Sequence, residues 1–224
     1  MKQLFIKLRT NRLSTKIILM VEVVLILSNS IFFLVSIINS RVGIRQSIQQ
    51  RMLDIANCAS GSVNGDDLAS LTAGDEGTPK FQNIYDTLAI FRDNVELEYV
   101  YSIRDEGDGR FTFIVDTDPD APGAFGSPVE YTEALAAAAK GTASVDMVPY
   151  TDAWGSFYSA YSPVYDSAGR VAGIVAADFS VKWFEAQLSE RTQQIVASYS
   201  IILLVTLLIA ALLTTFAVSP FVQK

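Results

Sequence analysis

Hydrophobic and polar positions divide this chain into blocks of different period. From Ile17 to Asn39 the side chains are apolar almost without break, with one ionisable residue, Glu22. About 20 such residues at roughly 1.5 Å each cross a hydrocarbon layer of about 30 Å, so the run predicts a transmembrane helix. It is too long for a secretory signal and ends in no small-x-small cleavage site. A second uncharged stretch, residues 192–223, has an apolar centre from Ile201 to Val218 and predicts a second span. After the first span Ile44, Ile48, Met52, Ile55 and Ala59 recur at helical spacing and define one apolar face. That stripe packs on its own domain, pairs with a second copy, or does both. Cys58 stands beside it and reads as a small packed residue rather than a reactive thiol.

Residues 61–79 are rich in Gly, Asp, Ser and Thr and predict loops around a short helical turn. Phe81, Ile84, Leu88 and Phe91 then mark a second amphipathic helix, which ends near Arg92, Asp93 and Asn94. Beyond it the period becomes two. Leu97, Tyr99, Tyr101 and Ile103 alternate, Glu106-Gly107-Asp108-Gly109 turns the chain, and Phe111, Phe113 and Val115 alternate back, which predicts a hairpin. Residues 116–126 read as a loop and 131–140 as an Ala-rich helix stopped by Gly141. A second strand pair, 157–164 and 170–178, is joined by the turn Asp166-Ser167-Ala168-Gly169. Residues 181–191 predict a helix running into the second span, so that both membrane helices are coupled to one domain.

This order predicts an α+β fold: an antiparallel sheet with helices on one side, a long N-terminal helix, and two flanking transmembrane helices. The expected organisation is a basic cytoplasmic tail (1–16), a span (17–40), an extracytoplasmic domain (41–192), a second span (193–219) and the start of a cytoplasmic linker (220–224). Charge sets the orientation. Residues 1–16 carry five Lys and Arg and no acid, which places that end inside by the positive-inside rule, and with two spans the other end joins it. Residues 41–192 carry 11 Lys and Arg against 23 Asp and Glu, an acidic surface that attracts cations and argues against nucleic acid as a partner. The chain has no His and one Cys, which removes His-based acid–base catalysis, His or multi-Cys zinc sites and intramolecular disulfides. No catalytic residue, metal or cofactor is expected.

The most informative single position is Asp178. Alternation puts it on the face of Ala172, Ile174 and Ala176, small or apolar neighbours that leave room over the sheet. A carboxylate at the end of a buried strand needs a partner: a ligand's ammonium or hydroxyl groups, or else the helix starting near Val181, which Asp178 would cap. Trp154 and Tyr158, with Tyr101 on the facing strand, are candidate pocket walls, with core packing as the plainer reading. Asp116, Asp118 and Asp120 alternate along the loop after the first hairpin, but they lack the Gly and closing Glu of an EF-hand and read as a solvated loop.

Five segments in order, V-E-L-E-Y-V-Y (95–101), F-T-F-I-V-D-T-D-P (111–119), P-Y-T-D-A-W-G (149–155), S-A-Y-S-P-V-Y-D (159–166) and G-I-V-A-A-D-F-S (173–180), resemble the extracytoplasmic Cache sensor domains. These are PAS-like folds of bacterial transmembrane receptors, and the resemblance covers about residues 41–190. It implies a dimeric receptor, here a homodimer through the membrane-proximal helix, with a cytoplasmic output such as a diguanylate cyclase or histidine kinase. It also implies that Tyr150, Asp152 and Asp178 match the Tyr-x-Asp and strand-closing Asp that hold a ligand's amine. The family's Arg-x-Trp-Tyr element, which grips a ligand carboxylate, has no counterpart between Asp116 and Leu135. The expected ligand is therefore an amine, or a small polar molecule held differently. The expected ligand residues are Tyr101, Asp116, Tyr150, Asp152, Trp154, Tyr158 and Asp178. The competing readings are an ectoenzyme using paired carboxylates and an anchored adhesion or scaffold module without a ligand. Ser219 and Pro220 resemble the start of a HAMP-type linker to an output domain beyond this sequence.

Overall fold

The structure is a computed structural model that describes residues 2–218; the expected linker at 220–224 lies outside the described residues. Its contacts divide into two units, residues 45–187 and a pair of segments comprising 1–44 and 188–224. The first helix, α1, runs Lys2–Ser62 and the last, α5, runs Val181–Val218. Each contains an 18-residue window long and apolar enough to cross a membrane, of mean hydropathy 2.4 and 2.6. Within the paired segments the Tyr199 hydroxyl donates to Ser36 Oγ at 2.8 Å, and its ring lies 5.2 Å from that of Phe33.

In the 45–187 unit, α1 is followed by α2 (Gly65–Ser70), α3 (Pro79–Asn94), β1 (Tyr99–Gly107), β2 (Arg110–Asp116), β3 (Pro128–Val129), α4 (Glu133–Ala139), β4 (Ser144–Val145), β5 (Tyr150–Thr151), β6 (Ser156–Tyr165) and β7 (Val171–Ser180). The helix starts are set by side chains that accept otherwise unpaired amides: Asn64 for α2, Thr78 followed by Pro79 for α3, and Thr132 for α4. The β1–β2 hairpin closes through Asp108 and Gly109, both at positive φ (55° and 72°), the conformation a two-residue turn needs to follow the twist of its strands. The sheet is antiparallel in the order β3-β2-β1-β7-β6-β4, with β5 also pairing with β6.

The two faces of the sheet carry separate cores. On one, Val100, Ile114, Val115, Val164 and Val175 meet Ala59 of α1, Val63 just past its end, Leu68 of α2, and Ile84 and Leu88 of α3. On the other, Tyr101, Ile103, Phe111, Phe113, Tyr161, Ile174 and Ala176 meet Ala134, Leu135 and Ala138 of α4. The expectation of helices on one side is thus corrected: the short Ala-rich α4 covers the opposite face, where its small side chains allow close approach to the tyrosines.

The α1 stripe also shifts by one position. Ile48, Met52 and Ala59 are buried, but Ala56 takes the place expected for Ile55. Cys58 is exposed, not packed, because it lies on the side of α1 turned away from the sheet.

Candidate functional site

Register brings the site together. Tyr99 of β1 and Ser159 of β6 both lie opposite Asp178 of β7, and in the next row Tyr101 and Tyr161 flank Ala176. Alternation then points Asp178, Tyr101, Ser159 and Tyr161 to one face. The small side chains of Ala176 and Ser159 leave a depression between the tyrosines.

A β-bulge adds Asp116. Tyr101 pairs with Asp116 but Ile103 pairs with Phe113, so Ser102 faces both Ile114 and Val115. The extra residue reverses the alternation of β2. Phe113 keeps to the cleft face, Ile114 and Val115 both turn into the helix-side core, and Asp116 comes up beside Tyr101. Ser102 makes this tolerable: its buried hydroxyl accepts from the Val115 amide at 3.0 Å and donates to the Val115 carbonyl at 3.3 Å, replacing the lost ladder bonds.

Asp178 forms the floor and is 2% exposed. Ser159 Oγ donates to its Oδ1 at 2.5 Å, and the Tyr150 hydroxyl approaches its Oδ2 at 3.4 Å. None of the ion pairs Lys80–Asp67, Arg92–Asp93 and Arg170–Asp166 involves Asp178. Burial pushes its pKa up to about 7, with hydrogen bonds from Ser159 and Tyr101 opposing and the charges of Asp152 and Asp146 adding to the rise. Burial likewise pushes the Tyr101 and Tyr161 hydroxyls well up, so both are neutral donors at neutral pH.

The rim is built from two loops. Asp116, its pKa raised by burial, accepts from the Gly123 amide at 2.7 Å and the Asp118 amide at 3.0 Å, folding the 117–127 loop over the cleft. Gly123 is needed there, since a Cβ would sit 2.9 Å from the Phe113 ring. Asp152 Oδ1 accepts from the amides of Trp154 and Gly155 at 2.8 and 3.0 Å. The Trp154 indole donates to the Ala121 carbonyl at 3.1 Å, tying the two loops across the mouth. The enclosed space, bounded by Tyr99, Phe113, Asp118 and the residues above, is about 10 Å3, room for one water.

Tyr101, Asp116, Asp152, Trp154 and Asp178 therefore line one cleft, and Tyr150 touches Asp178 from its edge. Tyr158 does not join them. It points to the opposite face, buried and stacked on Phe184 at 4.2 Å, and its expected place as a pocket wall is corrected to core packing. Nor does Asp178 cap α5: Ser180 Oγ accepts from the Trp183 amide at 3.3 Å instead.

Sequence reasoning missed Ser159 and Asp146. Asp146, 5% exposed, accepts from the Ser159 amide and the Tyr161 hydroxyl, each at 3.3 Å, and burial raises its pKa to about 6. Its backbone carbonyl accepts from Gln49 Nε2 of α1 at 3.3 Å.

No family model matches this sequence, and no curated protein matches it in sequence. Solved structures do match. The sensor domain of the V. cholerae histidine kinase DctB aligns with a TM-score of 0.50 at 12% identity, over 67% of this chain and 57% of that one. The E. coli DcuS sensor domain aligns at 0.47 and 16%, over 65% and 98%. The ligand-binding domain of the Campylobacter jejuni chemoreceptor Tlp3, in complex with L-valine, aligns at 0.38 and 13%, over 66% of each. The chain thus spans little more than half the length of the DctB domain and about two thirds of the Tlp3 domain. At such identities the likeness concerns fold alone: a long N-terminal helix, an antiparallel sheet and a following apolar helix, in an arrangement shared with the DctB sensor domain.

Proposed function

We propose that this chain is a two-pass membrane receptor component whose outer domain senses a small amine-bearing ligand. In this reading residues 17–40 and 193–219 span the membrane, 41–192 lie outside, both ends are cytoplasmic, and two copies associate through the membrane-proximal part of α1. The observation that carries the reading is Asp178, a carboxylate at the floor of a cleft whose hydrogen-bond partners are all neutral. Asp116, Asp118 and Asp152 add acid at the rim and no base faces them across it. An ammonium group supplies what such a site lacks, because each carboxylate accepts a charge-assisted hydrogen bond from it.

Transmission follows from chain order. Asp178 closes β7, α5 begins at Val181, and Phe184 in its first turn is fully buried between the Tyr158 ring and the Arg45 guanidinium of α1, 5.4 Å from the ring centre. Both membrane-bound helices thus meet one aromatic side chain, six residues beyond the ligand carboxylate. A ligand moves such a system only by its difference in affinity for two states.

The test is calorimetry and thermal shift on the full chain in nanodiscs against amines, amino acids, carboxylates and sugars. A ligand at 100 times its dissociation constant stabilises by about 2.7 kcal/mol. Amines are expected to give that shift in the wild type and none in Asp178→Asn. A carboxylate or sugar that stabilises both proteins equally sinks the assignment.

A further inference from the structure

Two buried carboxylates stand back to back across one serine. Ser159 sends its hydroxyl to Asp178 and its backbone amide to Asp146, so the two acids share a single residue of β6 as bridge. Only Asp178 reaches the cleft; Asp146 lies on the far side of β6, just past β4, held by Tyr161 and by Thr132 at the start of α4. The groups that face the pair from every side are acidic or neutral. They are Tyr99 and Tyr101 of β1, Tyr150 of β5, Tyr161 of β6, Asp116 at the end of β2, Asp118 and Asp152 in the rim loops, and Gln49 of α1, which binds the Asp146 backbone. Arg45, one turn before Gln49, is turned to the Phe184 ring.

Two buried like charges with no cation between them do not both ionise freely, and the pair holds protons at pH values where exposed aspartates hold none. We infer that the domain reads its ligand and the external proton concentration together: an ammonium ligand entering the cleft displaces a proton from the Asp178 carboxyl to solvent, and Asp146 raises the pH at which that exchange takes place. This rests on the amine reading of the cleft. Asp146 is a positioning residue. It never touches the ligand, but its charge raises the proton affinity of Asp178 through the shared serine.

The sign is fixed. The ligand binds the ionised form of Asp178, whose pKa is raised to about 7 by burial and by the charges of Asp152 and Asp146. Affinity is then complete above that value and falls by up to about tenfold per pH unit below it. Asp146→Asn keeps an acceptor for Ser159 and Tyr161 but removes the charge, so the midpoint moves to lower pH while binding at pH 8 persists.

Two measurements on the full chain in nanodiscs test this. The first uses no ligand: the infrared band of a protonated buried carboxyl is followed across the neutral range. In the wild type the upper, Asp178 step is expected near neutrality; it should be lost in Asp178→Asn, leaving only the lower step of Asp146, and should move to lower pH in Asp146→Asn. The same midpoint in Asp146→Asn and wild type, or no protonated carboxyl near neutrality, overturns the inference whether or not an amine binds. The second is calorimetry with propylammonium and L-valine in buffers of different ionisation enthalpy. Release of up to one proton per site at neutral pH supports the exchange; binding with no proton released overturns it. If neither probe binds while the infrared titration behaves as expected, the amine reading of the cleft fails and the Asp146–Asp178 coupling stands.

Discussion

The two faces of the sheet solve different problems with the same strands. The face under α1, α2 and α3 buries apolar side chains, aliphatic at its centre with Tyr158 and Phe184 at one end, and its buried polar residues Ser60, Ser102, Thr117 and Ser162 are small hydroxyls with hydrogen-bond partners. The face under α4 buries Asp146 and Asp178 among tyrosines. Apolar burial stabilises the first face at roughly 25 cal/mol per Å2. On the second, desolvated acids oppose folding whenever they are ionised. One face therefore holds the domain together so that the other can keep a site that is not at its energetic best alone, which is the condition a ligand sensor requires.

Four measurements would break or sharpen that contrast. The largest effect is expected from Leu88→Ala on the helix-side face. Leu88 is fully buried, and its truncation should cost about 2–5 kcal/mol in chemical denaturation while leaving the pH response of the survivors unchanged. Next is Ser102→Ala, which removes the hydroxyl serving Val115; about 1–3 kcal/mol should be lost and ligand response should weaken, because Asp116 depends on the bulge.

Third is the pH dependence of the cleft face. Asp146 and Asp178 have folded-state pKa values of about 6 and about 7, above their unfolded values near 3.9. The folded state therefore binds more protons between about pH 4 and 7, and the melting temperature should rise as pH falls from 8 to 5. A double Asp146→Asn, Asp178→Asn variant should lose that slope and melt higher at pH 8; a wild type that loses stability over this range would refute the picture. The smallest effect is Trp154→Phe. It deletes the exposed bond to the Ala121 carbonyl, should cost no more than about 0.5–1.5 kcal/mol, and should speed ligand exchange in stopped-flow binding.

Much of the scaffold was legible because its signals are periodic. The stripe from Phe81 to Phe91, the Asp108-Gly109 turn and the alternation through Ala172, Ile174, Ala176 and Asp178 correspond to α3, the hairpin and β7. Strands β3, β4 and β5 have two residues each and carry no period at all, so they read as loop. The site was only half legible, and the reason is again a bulge. Counting back from the Asp166–Gly169 turn, with Tyr165 against Val171, sets Tyr158 opposite Asp178. The irregularity between Val164 and Tyr165 shifts every later pair by one, which puts Ser159 there and sends Tyr158 through the sheet to Phe184. Asp146 gave no pattern, since it sits just past a two-residue strand and its importance comes wholly from what folds against it.

The bulge at Ile114 and Val115 bears on how such a domain changes over generations. Deleting one residue there restores strict alternation and takes Asp116 off the cleft face, whereas point substitution would alter one side chain and leave the rest. Ligand preference in this architecture is thus exposed to insertion and deletion as a unit of heritable change, at a place where the reading frame of the strand, rather than the identity of any residue, decides which chemistry faces the cleft.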